Sequence, residues 1–143
     1  MDIAAADTPP WVQRFQNFDA AMVRLRGGVD LLDRPDMPAI IREGVIQRFE
    51  YTFELAWKTL KDYLVARKVT MPRTGPADVI RAAFAAGYIT DGEIWMEALD
   101  ARNEVSHVYR QQAFDRVIDA LRDRFMDRFE DLHEMLLVER SRL

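Results

Sequence analysis

Apolar residues recur along most of this chain at steps of three and four, the period of helices that bury one face. The first run is the clearest. Trp11, Phe15, Phe18, Met22, Leu25, Val29 and Leu32 alternate between the two steps, which is the seam of a helix packed in coiled-coil fashion. Pro9 and Pro10 precede it, and Pro35 and Pro38 end it, because proline fits a first helical turn but not an interior. Gly27-Gly28 falls inside this helix, at about 1 kcal/mol per glycine relative to alanine. Close approach of a second helix, or a local bend, is the expected reason.

A second helix is predicted from about Pro38 to Lys68, which at ~1.5 Å per residue makes it roughly 45 Å long. Val45, Ile46, Phe49, Phe53, Ala56, Trp57, Leu60, Tyr63 and Leu64 form its stripe, and Glu43, Gln47, Glu50, Glu54, Lys58 and Lys61 its polar face. Glu54 and Lys58 are correctly ordered for an ion pair one turn apart. Ile41, Tyr51 and Leu55 lie off the stripe and predict a further surface to cover, hence a homodimer.

Val69 to Gly75 reads as a turn, and a short third helix follows from Pro76 to Ala86, stopped by Gly87. A fourth begins after Asp91 and carries Ile94, Trp95, Ala98, Leu99 and Val105. The last, from about Gln112 to Arg140, carries Phe114, Val117, Ile118, Leu121, Phe125, Phe129, Leu132 and Leu136. No segment alternates with period two, and there is no internal repeat. The fold class is therefore all-α: an up-and-down bundle of four main helices plus one short helix. It is expected as a single domain over residues 1–143, with 1–10 disordered.

Composition narrows the function. The 143 residues can bury a real core, and 49% apolar against 31% charged places the chain among globular proteins. Twenty basic and twenty-four acidic residues leave a formal charge of −4, with no bulk positive field to announce a nucleic-acid binder. Without cysteine there are no disulfides, thiolate metal sites or cysteine nucleophiles. The first residues lack a leader pattern, and no stretch approaches the ~18 apolar residues of a membrane span. The expected setting is the cytoplasm, with no membrane partner.

The two histidines, His107 and His133, each end an E-x-x-H run with Glu104 and Glu130. Two such runs on facing helices would suit a di-iron site. At 100° per residue, however, Glu130 falls about 140° from its helix's stripe, and Glu104 more than about 90° from its own, so both turn outward. His133 reads as a boundary residue. Arg116, Arg122, Arg124 and Arg128 are interleaved with five aspartates, which makes a solvated face laced with ion pairs more plausible than an RNA stripe.

Arg102 is different. It follows Leu99 by three and Trp95 by seven, so a guanidinium sits in the middle of the fourth helix's apolar stripe. An unpaired charge there costs several kcal/mol, and something must face it. One reading is an ion pair with Glu50 or Glu54. The other is an anion site, with Asn103 and His107 one turn apart on a shared face. Arg102 and His107 diverge by about 140° in an unbroken helix. They converge only if the helix ends near Ser106 or if a two-fold axis shares the cleft.

These residues also carry a family resemblance. The block RFEYTFELAWKTLKDYL, from Arg48 to Leu64, resembles the signature of nucleotidyltransferase substrate-binding proteins. These belong to the HEPN superfamily and include the HepT toxins. The resemblance continues through Ile94-Trp95 to Arg102-Asn103-x-x-Ser106-His107-x-Tyr109, and covers nearly all of the chain beyond the first ten residues. Glu104-Val105 stands where the family more often has Leu-Thr, and Arg110 where an acidic residue is common.

The resemblance implies an all-helical homodimer paired with a cognate minimal nucleotidyltransferase. In the HepT branch the helical protein is a metal-independent ribonuclease without a cofactor, and its partner inhibits it by transferring AMP onto the motif tyrosine, here Tyr109. Arg102 and His107 would then be catalytic, with Asn103, Ser106, Glu50 and Glu54 around an RNA or nucleotide ligand. Metal-free RNA cleavage needs a group that titrates near neutrality, a role for His107, and a fixed cation on the phosphoryl oxygens, a role for Arg102. The alternative is a non-catalytic subunit that binds nucleotide or substrate for the transferase.

Overall fold

The computed structural model describes residues 7–107 and 111–143. Among the described residues six helices pack around one core: α1 (Pro10–Leu31), α2 (Ala39–Ala66), the short α3 (Pro76–Ala85), α4 (Gly92–His107), α5 (Gln111–Ala120) and α6 (Met126–Ser141). A π-helical turn, Leu121–Phe125, joins α5 to α6, so the two form one long rod. The architecture is the all-α bundle expected from the apolar period. Among the described residues there is no strand, and no helix is long and apolar enough to cross a membrane.

The α1 seam is buried as its spacing requires, with Phe15, Phe18, Met22 and Leu25 fully enclosed. Of the ten residues expected to be disordered, 1–6 lie outside the described residues. Pro10 already opens α1, and Gln13 Nε2 donates to the Thr8 carbonyl at 2.9 Å. At Gly28 a Cβ would stand 3.1 Å from Val45 Cγ2, whereas at Gly27 it would meet nothing. Only the second glycine serves the close approach of α1 and α2.

The π turn has a reason in the stripe. From Leu121 to Phe125 to Phe129 the apolar steps are four and four, which would swing the face about 80° in a regular α-helix. A wider turn absorbs that drift, and all three side chains are fully buried. Phe49 stacks on both Phe125 (centroids 5.7 Å apart) and Phe129 (6.2 Å), and Trp95 meets Phe129 at 5.6 Å. This aromatic centre fixes α2 and α4 against the rod, and thereby the faces that carry the polar motif residues.

Gly87, at φ +81°, ends the α3 segment as a C-terminal glycine should. Asp91, at φ +54°, turns the chain into α4 and gives its carboxylate to Arg128. The basic run on the rod is tied largely to other segments: Arg122 to Asp33, Arg124 to Glu97 and Arg128 to Asp91 as well as its own neighbour Asp131. The ion pairs expected there exist, but most of them staple the bundle.

Candidate functional site

Helix α4 presents Trp95 and Leu99 to the core, and the same stripe carries Arg102 to the seam with α2. The guanidinium stays only partly covered, its side chain 25% exposed. It lies 6.0 Å from the Phe53 ring centroid and donates to Glu54 Oε2 and to Asn103 Oδ1, the latter at 3.1 Å. Glu54 accepts further bonds from Trp57 Nε1 at 3.1 Å and Lys58 Nζ at 3.1 Å. Burial pushes the Glu54 carboxyl up, but the bonds from Arg102, Trp57 and Lys58, backed by the Arg102 charge, hold it below its ordinary 4.5. It is an anion at neutral pH and cannot serve there as a general acid.

One turn further on, Ser106 Oγ lies 3.1 Å from Glu50 Oε2 and 2.8 Å from the Arg102 carbonyl. Glu50 and Glu54 thus both face α4, each against a different motif residue. His107 is the last residue of α4, exposed, with no hydrogen bond or ion pair among the described residues. The helix is unbroken from Arg102 to His107, so the two side chains point about 140° apart and one chain alone does not bring them together. Tyr109 lies outside the described residues.

The remaining candidates have structural partners. Glu104 pairs with Arg116 at 2.5 Å, and Glu130 with Arg26 at 3.2 Å. His133 is mostly buried between the Phe15 and Phe18 rings, its Nε2 2.6 Å from Asp19 Oδ1. Among the described residues no group of three or more such side chains is placed to hold a metal ion. Of the off-stripe residues on α2, Leu55 packs against the core and Ile41 is half-buried, which leaves Tyr51 exposed.

Residues 13–138 match the family described as nucleotidyltransferase substrate binding protein like. The chain belongs to that family. A probable ribonuclease HepT of Haemophilus influenzae is 33% identical over 82 residues, a stretch that is 52% of this chain and 56% of that protein. The chain therefore spans a little over half the length of this curated relative. A solved Haemophilus influenzae protein, described as revealing the fold of a substrate binding domain of a nucleotidyltransferase, superposes with a TM-score of 0.75. It is 29% identical and covers 85% of this chain and 98% of its own. A Shewanella oneidensis HEPN toxin, solved tri-AMPylated in complex with its MNT antitoxin, has a TM-score of 0.72. At 12% identity, covering 90% of this chain and 96% of its own, that likeness is one of fold.

Within this nucleotidyltransferase substrate-binding family member, two features of the site escaped the sequence reading. The Trp57 indole, three residues after Glu54, is a carboxylate donor as well as a core residue, and the Asn103 amide turns to Arg102. The first left a signal in the Glu-x-x-Trp-Lys spacing, which places both donors one turn after the carboxylate. The second left none, because neighbours in a helix do not ordinarily face each other.

Proposed function

We propose that the chain is the helical HEPN-type partner of a minimal nucleotidyltransferase and acts as a HepT-like, metal-independent ribonuclease. The observation that carries this reading is Arg102: a guanidinium on the inward stripe of α4, still reachable by solvent, whose present counter-ion is the carboxylate of Glu54. A phosphodiester offers the same pair of anionic oxygens that Glu54 offers. In substrate it displaces Glu54, which keeps Lys58 and Trp57 as partners.

Cleavage then follows without a protein nucleophile. The ribose 2′-oxygen attacks phosphorus, the bond to the 5′-oxygen breaks, and a 2′,3′-cyclic phosphate forms. His107 takes the 2′-hydroxyl proton, the leaving oxygen takes one from water, and Arg102 balances the charge gathering on the phosphoryl oxygens. Since Arg102 and His107 diverge on one helix, the working site joins Arg102 of one copy to His107 of a second in a homodimer. Asn103 and Ser106 hold the phosphate and the helix end. Transfer of AMP from ATP to the Tyr109 hydroxyl, seven residues after Arg102, with release of pyrophosphate, adds charge and bulk at the cleft mouth and shuts the enzyme off.

Incubating purified protein with end-labelled RNA in EDTA tests the reading, with 2′,3′-cyclic phosphate ends as the expected product. The second reading, a binding subunit without turnover, is favoured by the engagement of Arg102 with Glu54 in the single chain. It predicts calorimetric binding of a nucleotide, lost in Arg102→Ala, and intact RNA.

A further inference from the structure

Beside the α2–α4 seam, on the neighbouring face of α2, a groove of about 630 Å³ opens between α1 and α2. Arg24 and Arg48 line it with Gln47, Tyr51 and Thr52, and Gly44 leaves its floor open, since a Cβ there would meet nothing. Among the described residues nine of the sixteen arginines pair with carboxylates, Arg24 and Arg48 are among the seven that do not, and no carboxylate lines the groove. Arg48 is held in place all the same: it donates to the Arg24 carbonyl at 2.7 Å, and its side chain lies across Gly28. Tyr51 is 56% exposed beside these two cations.

Two unneutralised guanidiniums, one of them held by a backbone bond, with an exposed ring and an amide are the elements that hold single-stranded nucleic acid: cations for the backbone, a flat face for a base. A second copy of the chain is a poor occupant. A two-fold axis through the groove would set it against itself and gather four guanidiniums with no lining carboxylate among them. Continuity supports the same conclusion, because Gln47 also lines the depression formed with Glu50 and Ser106. We infer that the α1–α2 groove is a secondary subsite for single-stranded RNA, in which Arg24 and Arg48 hold backbone phosphates flanking the scissile one and Tyr51 stacks on a base.

The inference takes the identity of its ligand from the ribonuclease reading, but binding tests it independently of cleavage. Fluorescence anisotropy of a labelled oligouridylate is measured over a range of salt with the full chain, with Arg24→Gln/Arg48→Gln, and with Tyr51→Ala. The double variant is expected to bind about ten-fold more weakly, with a salt slope shallower by about 1.4, at ~0.7 per single-strand phosphate contact. Tyr51→Ala is expected to weaken binding at least about five-fold with the slope unchanged. Arg24→Gln alone removes an exposed side chain without touching the Arg48 bond, so it reports even if the double variant fails to fold; it should lose about half of the slope change.

Unchanged affinity and slope in the arginine variants overturn the inference. So does a changed sedimentation mass with unchanged RNA affinity, which would make the groove a subunit contact. Arg-dependent binding without any cleavage leaves the inference standing and sinks the ribonuclease reading. Cleavage that ignores all three residues does the reverse.

Discussion

Glu54 and Arg102 form an ion pair across the seam between α2 and α4, and that pair occupies the donor fork that an anionic ligand needs. Among the described residues Arg102 retains only Asn103 and the Phe53 face when the carboxylate is removed, whereas Glu54 retains Trp57 and Lys58 when the guanidinium is removed. The pair is therefore asymmetric: the cation depends on the anion more than the anion on it.

Glu54→Gln is accordingly expected to cost about 1 kcal/mol in urea unfolding, since both partners keep partial contact with water. The same substitution takes away the internal competitor for Arg102. Affinity for a phosphate-bearing ligand should rise, by about three-fold or more, while Arg102→Ala abolishes it. Isothermal calorimetry with AMP measures both. A fall in affinity on Glu54→Gln would mean that the carboxylate is a ligand contact.

Acid should weaken the fold through this carboxylate. Its pKa in the folded chain lies below the ordinary 4.5, so the unfolded state takes up the proton first. The stabilisation is complete above the ordinary value and is lost as pH falls through the folded one. Thermal midpoints of wild type and Glu54→Gln should differ by a constant amount well above the ordinary value of 4.5 and converge as the pH falls through and below it. A difference that persists undiminished in acid would show that the charge of Glu54 is not what stabilises.

The two adjacent glycines of α1 should respond differently to alanine. Gly27→Ala enters open space and should gain about 0.5–1 kcal/mol from helix propensity. Gly28→Ala must push against Val45 at 3.1 Å, so it should fall short of that gain. Equal gains in thermal denaturation would show that α1 and α2 do not meet there as closely as the structure has them.

The aromatic centre should dominate stability. Phe129 touches Phe49, Phe53 and Trp95 and is fully enclosed, so Phe129→Ala is expected to cost about 3–5 kcal/mol. A loss under about 1 kcal/mol in urea titration would contradict the packing.

How much of this was legible in the sequence follows from what kind of signal each feature leaves. The α1 seam and the α2 stripe are periodic, and burial follows period directly, so Phe15 and Phe49 could be placed inside from spacing alone. The π turn was legible only as a pair of four-residue steps at Leu121 and Phe125. Those steps read equally well as a broad α-helical stripe until the packing against Phe49 requires one face. Arg102 stood out because a cation in an apolar stripe must have a partner. The choice between Glu50 and Glu54 was not legible, since the two carboxylates are one turn apart and only the relative height of α2 and α4 assigns Glu54 to Arg102 and Glu50 to Ser106. The Arg24–Arg48 groove was invisible for a similar reason: it joins residues far apart in sequence on helices whose polar faces look ordinary one at a time.

The central claim is that Arg102 and His107 act together on one phosphodiester although one helix holds them apart, and subunit complementation tests it most directly. Arg102→Ala and His107→Ala are purified separately, mixed, allowed to exchange subunits, and assayed on RNA in EDTA. Each variant alone should be inactive. Random exchange makes about half of the dimers mixed, each with one intact composite site out of two, so the mixture should recover about a quarter of wild-type cleavage. Cleavage by either variant alone, or none in the mixture despite confirmed subunit exchange between folded variant dimers, would contradict the account.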